Sequence, residues 1–105
     1  MYKKNIRISA FEARKLMLAN PSAIILDVRS SAEFASGRIS GATLLPSNTI
    51  LEMANSVIPN KNALILVYCR SGVRSSDAAS NLISMGYTNV FDFGGILDWP
   101  YDLVR

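Results

Sequence analysis

The chain has 105 residues, of which half are hydrophobic and 18% are charged, and its formal net charge is +3. This length predicts a single domain over residues 1–105 with a hydrophobic core of its own. The sequence contains no histidine and one cysteine, Cys69. These two counts exclude Ser-His-Asp triads, Cys-His dyads, intramolecular disulfides and zinc sites built from Cys and His. We therefore expect no metal and no other cofactor.

The charge pattern bears on the partners and the location of the protein. Basic residues are scattered rather than clustered, so we expect no nucleic acid partner, while the small positive excess favours small anionic substrates. No apolar run is long enough to span a bilayer, and residues 1–17, which include Lys3 and Lys4, lack the apolar segment of a signal peptide. We therefore expect no membrane partner. A lone exposed cysteine persists best as a thiol in a reducing compartment, which predicts a cytoplasmic protein.

The first third of the sequence alternates strand and helix signals. Residues 6–8 have the pattern of a short strand. Ser9 and Glu12 are spaced as a capping box, which predicts the start of a helix that the Asn-Pro pair at residues 20–21 ends. The apolar run at residues 23–28 then predicts a buried parallel strand.

The alternation continues through the middle of the sequence. Ser30 and Glu33 make a second capping box, so we expect a short helix that ends at Gly37. Residues 42–45 predict another strand, and residues 47–56 predict a helix.

The last part of the sequence holds its strongest strand pattern, the apolar run at residues 63–68. We expect the next helix to start at Ser75 and to end at Gly86. Residues 90–93 predict a final strand, and a turn at residues 94–95 leads into a short terminal helix. Strands that alternate with helices predict an α/β fold with a central, mainly parallel sheet and helices on both faces. Ligands of such sheets bind at the carboxyl ends of the strands.

The segment after the strongest strand has the features that activate a nucleophilic cysteine. The strand delivers Cys69 to the sheet edge, and Gly72 allows the backbone to curl so that successive N–H groups point at one atom. The start of the next helix adds a partial positive charge, and Arg70 and Arg74 add two full ones. All of these favour a thiolate, so we predict that Cys69 is a nucleophile that needs no imidazole. A lone cysteine is more often structural, but a structural cysteine needs neither the glycine nor the arginines.

Several other side chains near this loop are candidates for a role in the site, and most of them have an alternative role. Asp27 and Arg29 either form a charged pair that orients the site, or Asp27 binds loop N–H groups while Arg29 is solvated. Ser71 and Ser75 are candidate donors to a bound anion, although Ser75 could equally be an ordinary residue of the first helical turn. Arg38 either faces the mouth of the site or lies on the surface.

Four segments resemble the rhodanese sulfurtransferase family in order and spacing. Residues 69–75, CRSGVRS, resemble the active-site loop of that family. Residues 26–34 resemble its DVR…E(F/Y) segment, residues 37–42 its GHIPGA segment, and residues 94–99 its GGxxxW motif. The resemblance therefore covers nearly the whole chain.

The resemblance implies a rhodanese-like α/β fold and the transfer of a sulfane sulfur. Cys69 would attack the outer sulfur of a small anionic donor such as thiosulfate and hold it as a persulfide until a thiol, cyanide or a protein acceptor removes it. Arg38 and Ser40 stand where the family usually has His and Pro. The implied donor-binding residues are Arg70, Ser71, Gly72, Val73 and Arg74, with Asp27, Arg29 and Ser75 in supporting positions.

Three other functions fit parts of this pattern. Cysteine phosphatases of similar fold place one residue more between Cys and Arg than the four that separate Cys69 from Arg74. The smaller ring suits one sulfur atom better than a phosphate, so we predict no phosphatase activity. A non-enzymatic docking or regulatory module and a sulfur carrier that works only with a dedicated partner remain open as alternatives.

Overall fold

The computed structural model describes residues 6–105, so Lys3 and Lys4 lie outside the described residues. Within that range, five strands and four α-helices alternate along the chain, with two short 3₁₀ turns at Ser47–Thr49 and Ile96–Asp98. The strands are β1 (Ile6–Arg7), β2 (Ile24–Asp27), β3 (Thr43–Leu44), β4 (Leu64–Cys69) and β5 (Asn89–Gly95). The helices are α1 (Ala10–Ala19), α2 (Ser31–Ser36), α3 (Ile50–Val57) and α4 (Val73–Ser84).

These strands form one parallel sheet in the order β1-β5-β4-β2-β3. The predicted α/β class with a central parallel sheet is therefore confirmed. β4 lies in the middle of the sheet, and its residues from Ile65 to Cys69 are buried, as expected of a strand covered on both faces. Its last residue, Cys69, consequently lies at the centre of the carboxyl edge of the sheet.

Alternate residues of β4 enter two hydrophobic clusters on opposite faces of the sheet. Ile65, Val67 and Cys69 belong to the cluster that α3 and α4 cover. Leu66 and Tyr68 belong to the cluster that α1 covers. This period of two is the alternation of a strand, and it confirms the prediction of helices on both faces. It also places Cys69 on the face of the sheet against which α4 packs.

Both predicted capping boxes are present. The Ser9 hydroxyl accepts the N–H of Glu12 at 3.0 Å, and the Glu12 carboxylate accepts the N–H of Ser9 at 3.0 Å. Ser30 and Glu33 repeat this arrangement at the start of α2. Gly86 follows α4 with a φ of +100°, the left-handed conformation in which glycine commonly ends helices. These helix ends therefore follow from local sequence.

The predicted start of α4 is wrong by two residues. The helix begins at Val73 rather than Ser75, because Gly72 already reverses the chain with a φ of +105° and acts as its N-cap. The Gly72 carbonyl accepts the N–H of Ser76 at 3.3 Å. Only residues 70–72 thus separate β4 from α4, so the end of one element lies directly against the start of the other.

The predicted end of β5 is also wrong. The strand continues through Gly95 instead of turning at residues 94–95. An irregularity in the pairing of β4 with β5 brings Gly95 opposite Cys69. The Asp92 carboxylate accepts the N–H of Gly94 at 2.9 Å within this irregular stretch. The final strand therefore runs alongside residues 69–74, the cysteine loop, which the sequence pattern did not indicate.

Residues 6–105 include no helix that is long and apolar enough to cross a membrane. In the same range, no cluster of three or more cysteine and carboxylate side chains could hold a metal ion.

Candidate active site

The structure places Cys69 inside a close-fitting loop. Its sulfur is a free thiol, and 1% of the residue is exposed, so the expectation of an exposed thiol is wrong. The N–H of Gly72 donates to the sulfur at 3.0 Å. The left-handed φ of Gly72 makes this approach possible, because residues with a Cβ rarely adopt that conformation. The loop thus curls around the sulfur.

Opposing effects set the pKa of the Cys69 thiol. Burial raises it, because the thiolate loses hydration. Hydrogen bonds from the Ser75 hydroxyl and from the N–H groups of Ser75, Gly72 and Ser71 lower it, and their combined effect prevails. The pKa of Cys69 is therefore below its ordinary value. Hydrogen-bond donors of the loop and of the first turn of α4 therefore stabilise the thiolate in the absence of an imidazole.

Ser75 contributes more to this environment than the sequence indicated. The residue is fully buried, and its hydroxyl donates to the Gly94 carbonyl at 3.2 Å. The hydroxyl has one proton, and Cys69 is the second acceptor within its reach. A charged sulfur is the stronger acceptor, so formation of the thiolate draws this hydroxyl toward Cys69.

The two arginines of the loop lie in different environments. Arg70 is exposed, and its carbonyl accepts the N–H of Leu97 at 3.2 Å. Arg74 donates twice to the Glu33 carboxylate, at 2.7 and 3.0 Å. These hydrogen bonds raise the pKa of Arg74 and lower the pKa of Glu33 to about 2. The charge of Arg74 is therefore shared with Glu33, which the sequence suggested only as a capping residue.

The backbone of residues 70–71 packs closely against β5. A Cβ on Gly95 would collide with the Arg70 carbonyl and would lie 2.7 Å from the Cα of Ser71. Glycine at residue 95 is thus required by the close approach of two backbones rather than by its dihedral angles. Ser71 is exposed, and Val73, in the first turn of α4, is 70% exposed.

Asp27 and Arg29 form the charged pair that was one of the two predictions for them. Arg29 Nε and Nη2 donate to the Asp27 carboxylate at 2.7–3.1 Å, and Nη2 also donates to the Gly37 carbonyl at 2.7 Å. Burial lowers the pKa of Arg29, but its hydrogen bonds and charge interaction with Asp27 outweigh this and raise it. Arg29 is 5% exposed, so the prediction of a solvated Arg29 is wrong. The pair fixes the chain after β2, next to the cysteine loop.

A cavity of about 240 Å³ opens beside Arg74 at the ends of β2 and β3. Arg29, Ser30, Ser47 and Asn48 contribute polar groups to its lining. Arg38 lies elsewhere: its guanidinium stacks 4.6 Å from the centroid of the Phe34 ring and donates to the Phe34 carbonyl. Open space that several polar side chains border is therefore available next to Arg74.

Sequence reasoning missed Arg7, which contacts the loop, and Asp92, which binds Arg7. Arg7 donates to the Gly72 carbonyl at 2.9 Å and to the Asp92 carboxylate at 2.8 Å. Asp92 is 1% exposed. A carboxylate in the otherwise apolar run 90–93 was the available signal, because a buried charge needs a partner.

The family of the chain follows from comparison with known proteins. The model of the rhodanese-like domain family matches residues 9–100. The chain belongs to the rhodanese-like domain family. The resemblance of its four sequence segments is thereby confirmed.

Named relatives of this rhodanese-like chain include sulfurtransferases. It is 34% identical to thiosulfate sulfurtransferase PspE of Escherichia coli over 73 residues, 70% of each protein. It is 39% identical to a sulfurtransferase of Allochromatium vinosum over 77 residues, 72% of this chain and 70% of the relative. The solved structure of a rhodanese with anions from E. coli superposes with a TM-score of 0.74 at 31% identity, covering 79% of this chain and 98% of that one.

The rhodanese-like chain also resembles part of a larger protein. The tRNA uridine(34) hydroxylase of Photorhabdus laumondii is 32% identical over 88 residues. Those residues are 79% of this chain but 25% of the hydroxylase. Proteins with a segment similar to this chain therefore carry more than one named activity.

Ser75→Ala tests the hydrogen bonds at the sulfur. Without the hydroxyl, the thiolate of Cys69 keeps only backbone donors, so we expect its pKa to rise. Alkylation by iodoacetamide at neutral pH should slow by roughly threefold to tenfold, the effect of losing one hydrogen bond to an anion. The measurement is the alkylation rate as a function of pH.

Ser71→Ala is the matched control. Ser71 contributes its backbone N–H, which this substitution retains, and its side chain is exposed. We expect the alkylation profile of this variant to match that of the unmodified protein. An unchanged profile in Ser75→Ala would contradict the assignment of its hydroxyl.

Glu33→Gln tests the pair with Arg74 through its pH dependence. Folded Glu33 stays charged until the pH approaches 2, whereas its ordinary pKa is 4.5. The pair therefore stabilises the fold above about pH 4.5, and this contribution disappears as the pH falls toward 2. At neutral pH the variant should lose about 1 kcal/mol of unfolding free energy, because the pair is partly exposed.

Urea unfolding at several pH values measures that difference. Glu52→Gln, which removes an exposed carboxylate of α3, serves as the control for loss of one negative charge. A stability difference between Glu33→Gln and the unmodified protein that does not shrink at acidic pH would refute the account of this pair.

Proposed function

We propose that the protein is a sulfurtransferase that moves a sulfane sulfur from thiosulfate to a thiophilic acceptor through a persulfide on Cys69. The observation that carries this proposal is the ring of hydrogen-bond donors around the Cys69 sulfur, which lowers the pKa of the thiol. Membership of the rhodanese-like family supports it, as do relatives named as sulfurtransferases.

The first step forms the persulfide. The Cys69 thiolate makes an S–S bond with the outer sulfur of thiosulfate. The bond between the two thiosulfate sulfurs breaks, and sulfite leaves with the bonding electron pair. The product carries one negative charge on the terminal sulfur of the persulfide, so the charge stays close to the N–H groups of the loop.

The second step returns the enzyme to its starting state. Cyanide, or the thiolate of an acceptor, attacks the terminal sulfur of the persulfide. The S–S bond breaks, and its electron pair returns to Cys69 as a thiolate. The products are thiocyanate or an acceptor persulfide, and neither step requires an external oxidant or reductant.

The close-fitting loop favours a donor with an unhindered terminal sulfur. Cys69 is 1% exposed, so an incoming atom must pass the loop before it reaches the thiolate. The outer sulfur of thiosulfate is a single terminal atom. A phosphate ester would have to place a tetrahedral group in the same space, which makes phosphatase chemistry a poor fit.

The charged groups around the loop have separate roles in this proposal. Exposed Arg70 attracts the anionic donor and stabilises the departing sulfite. Arg74, held by Glu33, keeps positive charge beside the cavity, where the sulfonate end of the donor has room. The buried pair of Asp27 and Arg29 maintains the adjoining backbone.

Intact-protein mass spectrometry tests the cycle. After incubation with thiosulfate, the unmodified protein should gain the mass of one sulfur atom, and cyanide should then remove it. Cys69→Ser should gain nothing. Incubation with an aryl phosphate in place of thiosulfate should release no phosphate.

The alternatives give different results in the same experiment. No mass gain from thiosulfate, with Cys69 still reduced, would contradict the proposal. Gain from a small organic persulfide but not from thiosulfate would identify a carrier supplied by a partner, and gain from neither would favour a docking module. Rapid release of phosphate would instead identify a phosphatase.

A further inference from the structure

Arg7 joins the first strand, the last strand and the cysteine loop. β1 pairs with β5 so that Arg7 lies opposite Asp92. Its Nε and Nη2 donate to Asp92 Oδ2 at 3.0 and 2.8 Å, and Nη2 also donates to the carbonyl of Gly72 at 2.9 Å. One guanidinium therefore connects a buried carboxylate with the backbone of the loop.

Asp92 is itself fixed from its other side. Its Oδ1 accepts the N–H of Gly94 at 2.9 Å, while Oδ2 accepts from Arg7. The Cα of Gly94 lies 3.4 Å from the position that a Cβ on Gly72 would occupy. The carboxylate thus holds both the guanidinium and the β5 backbone that packs against the loop.

Gly72 is held at both of its polar groups. Its N–H donates to the Cys69 sulfur at 3.0 Å, and its carbonyl accepts from Arg7. Its φ of +105° is available to glycine without strain, but glycine is also the residue with the most alternative conformations. The Gly72 carbonyl also accepts the N–H of Ser76, so the hydrogen bond from Arg7 adds to that of α4 in favouring this one conformation.

We propose that Arg7 is a positioning residue of the active site, which, through Asp92, holds Gly72 so that its N–H points at the reacting sulfur. This inference rests on the proposed function for its role in sulfur transfer. The geometry on which it stands does not depend on which donor or acceptor is used.

A purely structural role predicts a different outcome from a positioning role. The Arg7 side chain is 52% exposed, but the Asp92 side chain that it binds is 2% exposed, so removing the guanidinium also leaves a buried charge without its partner. A purely structural role predicts a loss of stability alone, whereas a positioning role also changes the reactivity of Cys69 in the folded variant. This contrast can be measured without any sulfur donor.

The experiment measures the rate of Cys69 alkylation by iodoacetamide against pH in Arg7→Met, which keeps an unbranched side chain of similar length. We expect the midpoint of the profile to move to higher pH and the rate at neutral pH to fall by roughly fivefold. Arg7→Lys keeps a charged donor but cannot bind both acceptors as a fork. Its alkylation rate should therefore lie between those of the unmodified protein and Arg7→Met.

Arg14→Met is the control for the loss of one positive charge, because Arg14 lies over the ring of Tyr101 rather than in the loop. Thermal unfolding of every variant separates folding from positioning. A wild-type alkylation profile in folded Arg7→Met would overturn the inference. If Arg7→Met does not fold, Arg7→Lys decides: a wild-type profile there overturns it, and a shifted profile supports it.

The failure of this inference can be distinguished from the failure of the proposed function. Alkylation reports on the Cys69 thiol whether or not the protein transfers sulfur. Absence of a persulfide in the unmodified protein, together with a shifted profile in Arg7→Met, would contradict the function and leave the positioning role intact. A persulfide in the unmodified protein, together with an unshifted profile in Arg7→Met, would support the function and contradict the positioning role.

Discussion

A sulfur anion at the end of a buried strand is stable only if hydrogen-bond donors replace the water that it has lost. Cys69 meets this requirement without a histidine. Gly72, Ser71 and Ser75 supply backbone N–H groups, and Ser75 adds a hydroxyl. The balance between burial and these donors sets the pKa of the thiol, and because this pKa lies below its ordinary value, the thiolate is favoured more than in a free cysteine.

The fold holds these donors in place by close contact of backbones rather than by a large network of side chains. β4 ends at the centre of a parallel sheet, and only three residues separate it from the start of α4. Gly95 permits β5 to lie directly against the loop, where any side chain at that residue would collide with the loop backbone. Charged pairs then surround this arrangement: Asp27 with Arg29 after β2, and Glu33 with Arg74 beside the cavity. The electrostatics of the site are therefore more nearly neutral than the count of loop arginines suggests.

The sequence predicted those features whose causes are local. Capping boxes at Ser9 and Ser30, and the alternation of apolar strands with helices, depend on neighbouring residues, and all are present. The start of α4 and the end of β5 were misplaced because both depend on the packing of residues 70–72 against a strand more than twenty residues away in sequence. The partners of Arg74 and Gly72 were missed for the same reason, since only the folded sheet brings Glu33 and Arg7 to the loop.

The most direct measurement is the ultraviolet titration of the Cys69 thiolate in the unmodified protein. The absorbance of Cys69→Ser, recorded over the same pH range, removes the contribution of the four tyrosines. The account predicts a titration midpoint clearly below 9.0, the ordinary value for this thiol. A midpoint at or above that value would show that burial outweighs the donors of the loop. It would contradict the claim that this site stabilises a sulfur anion without an imidazole.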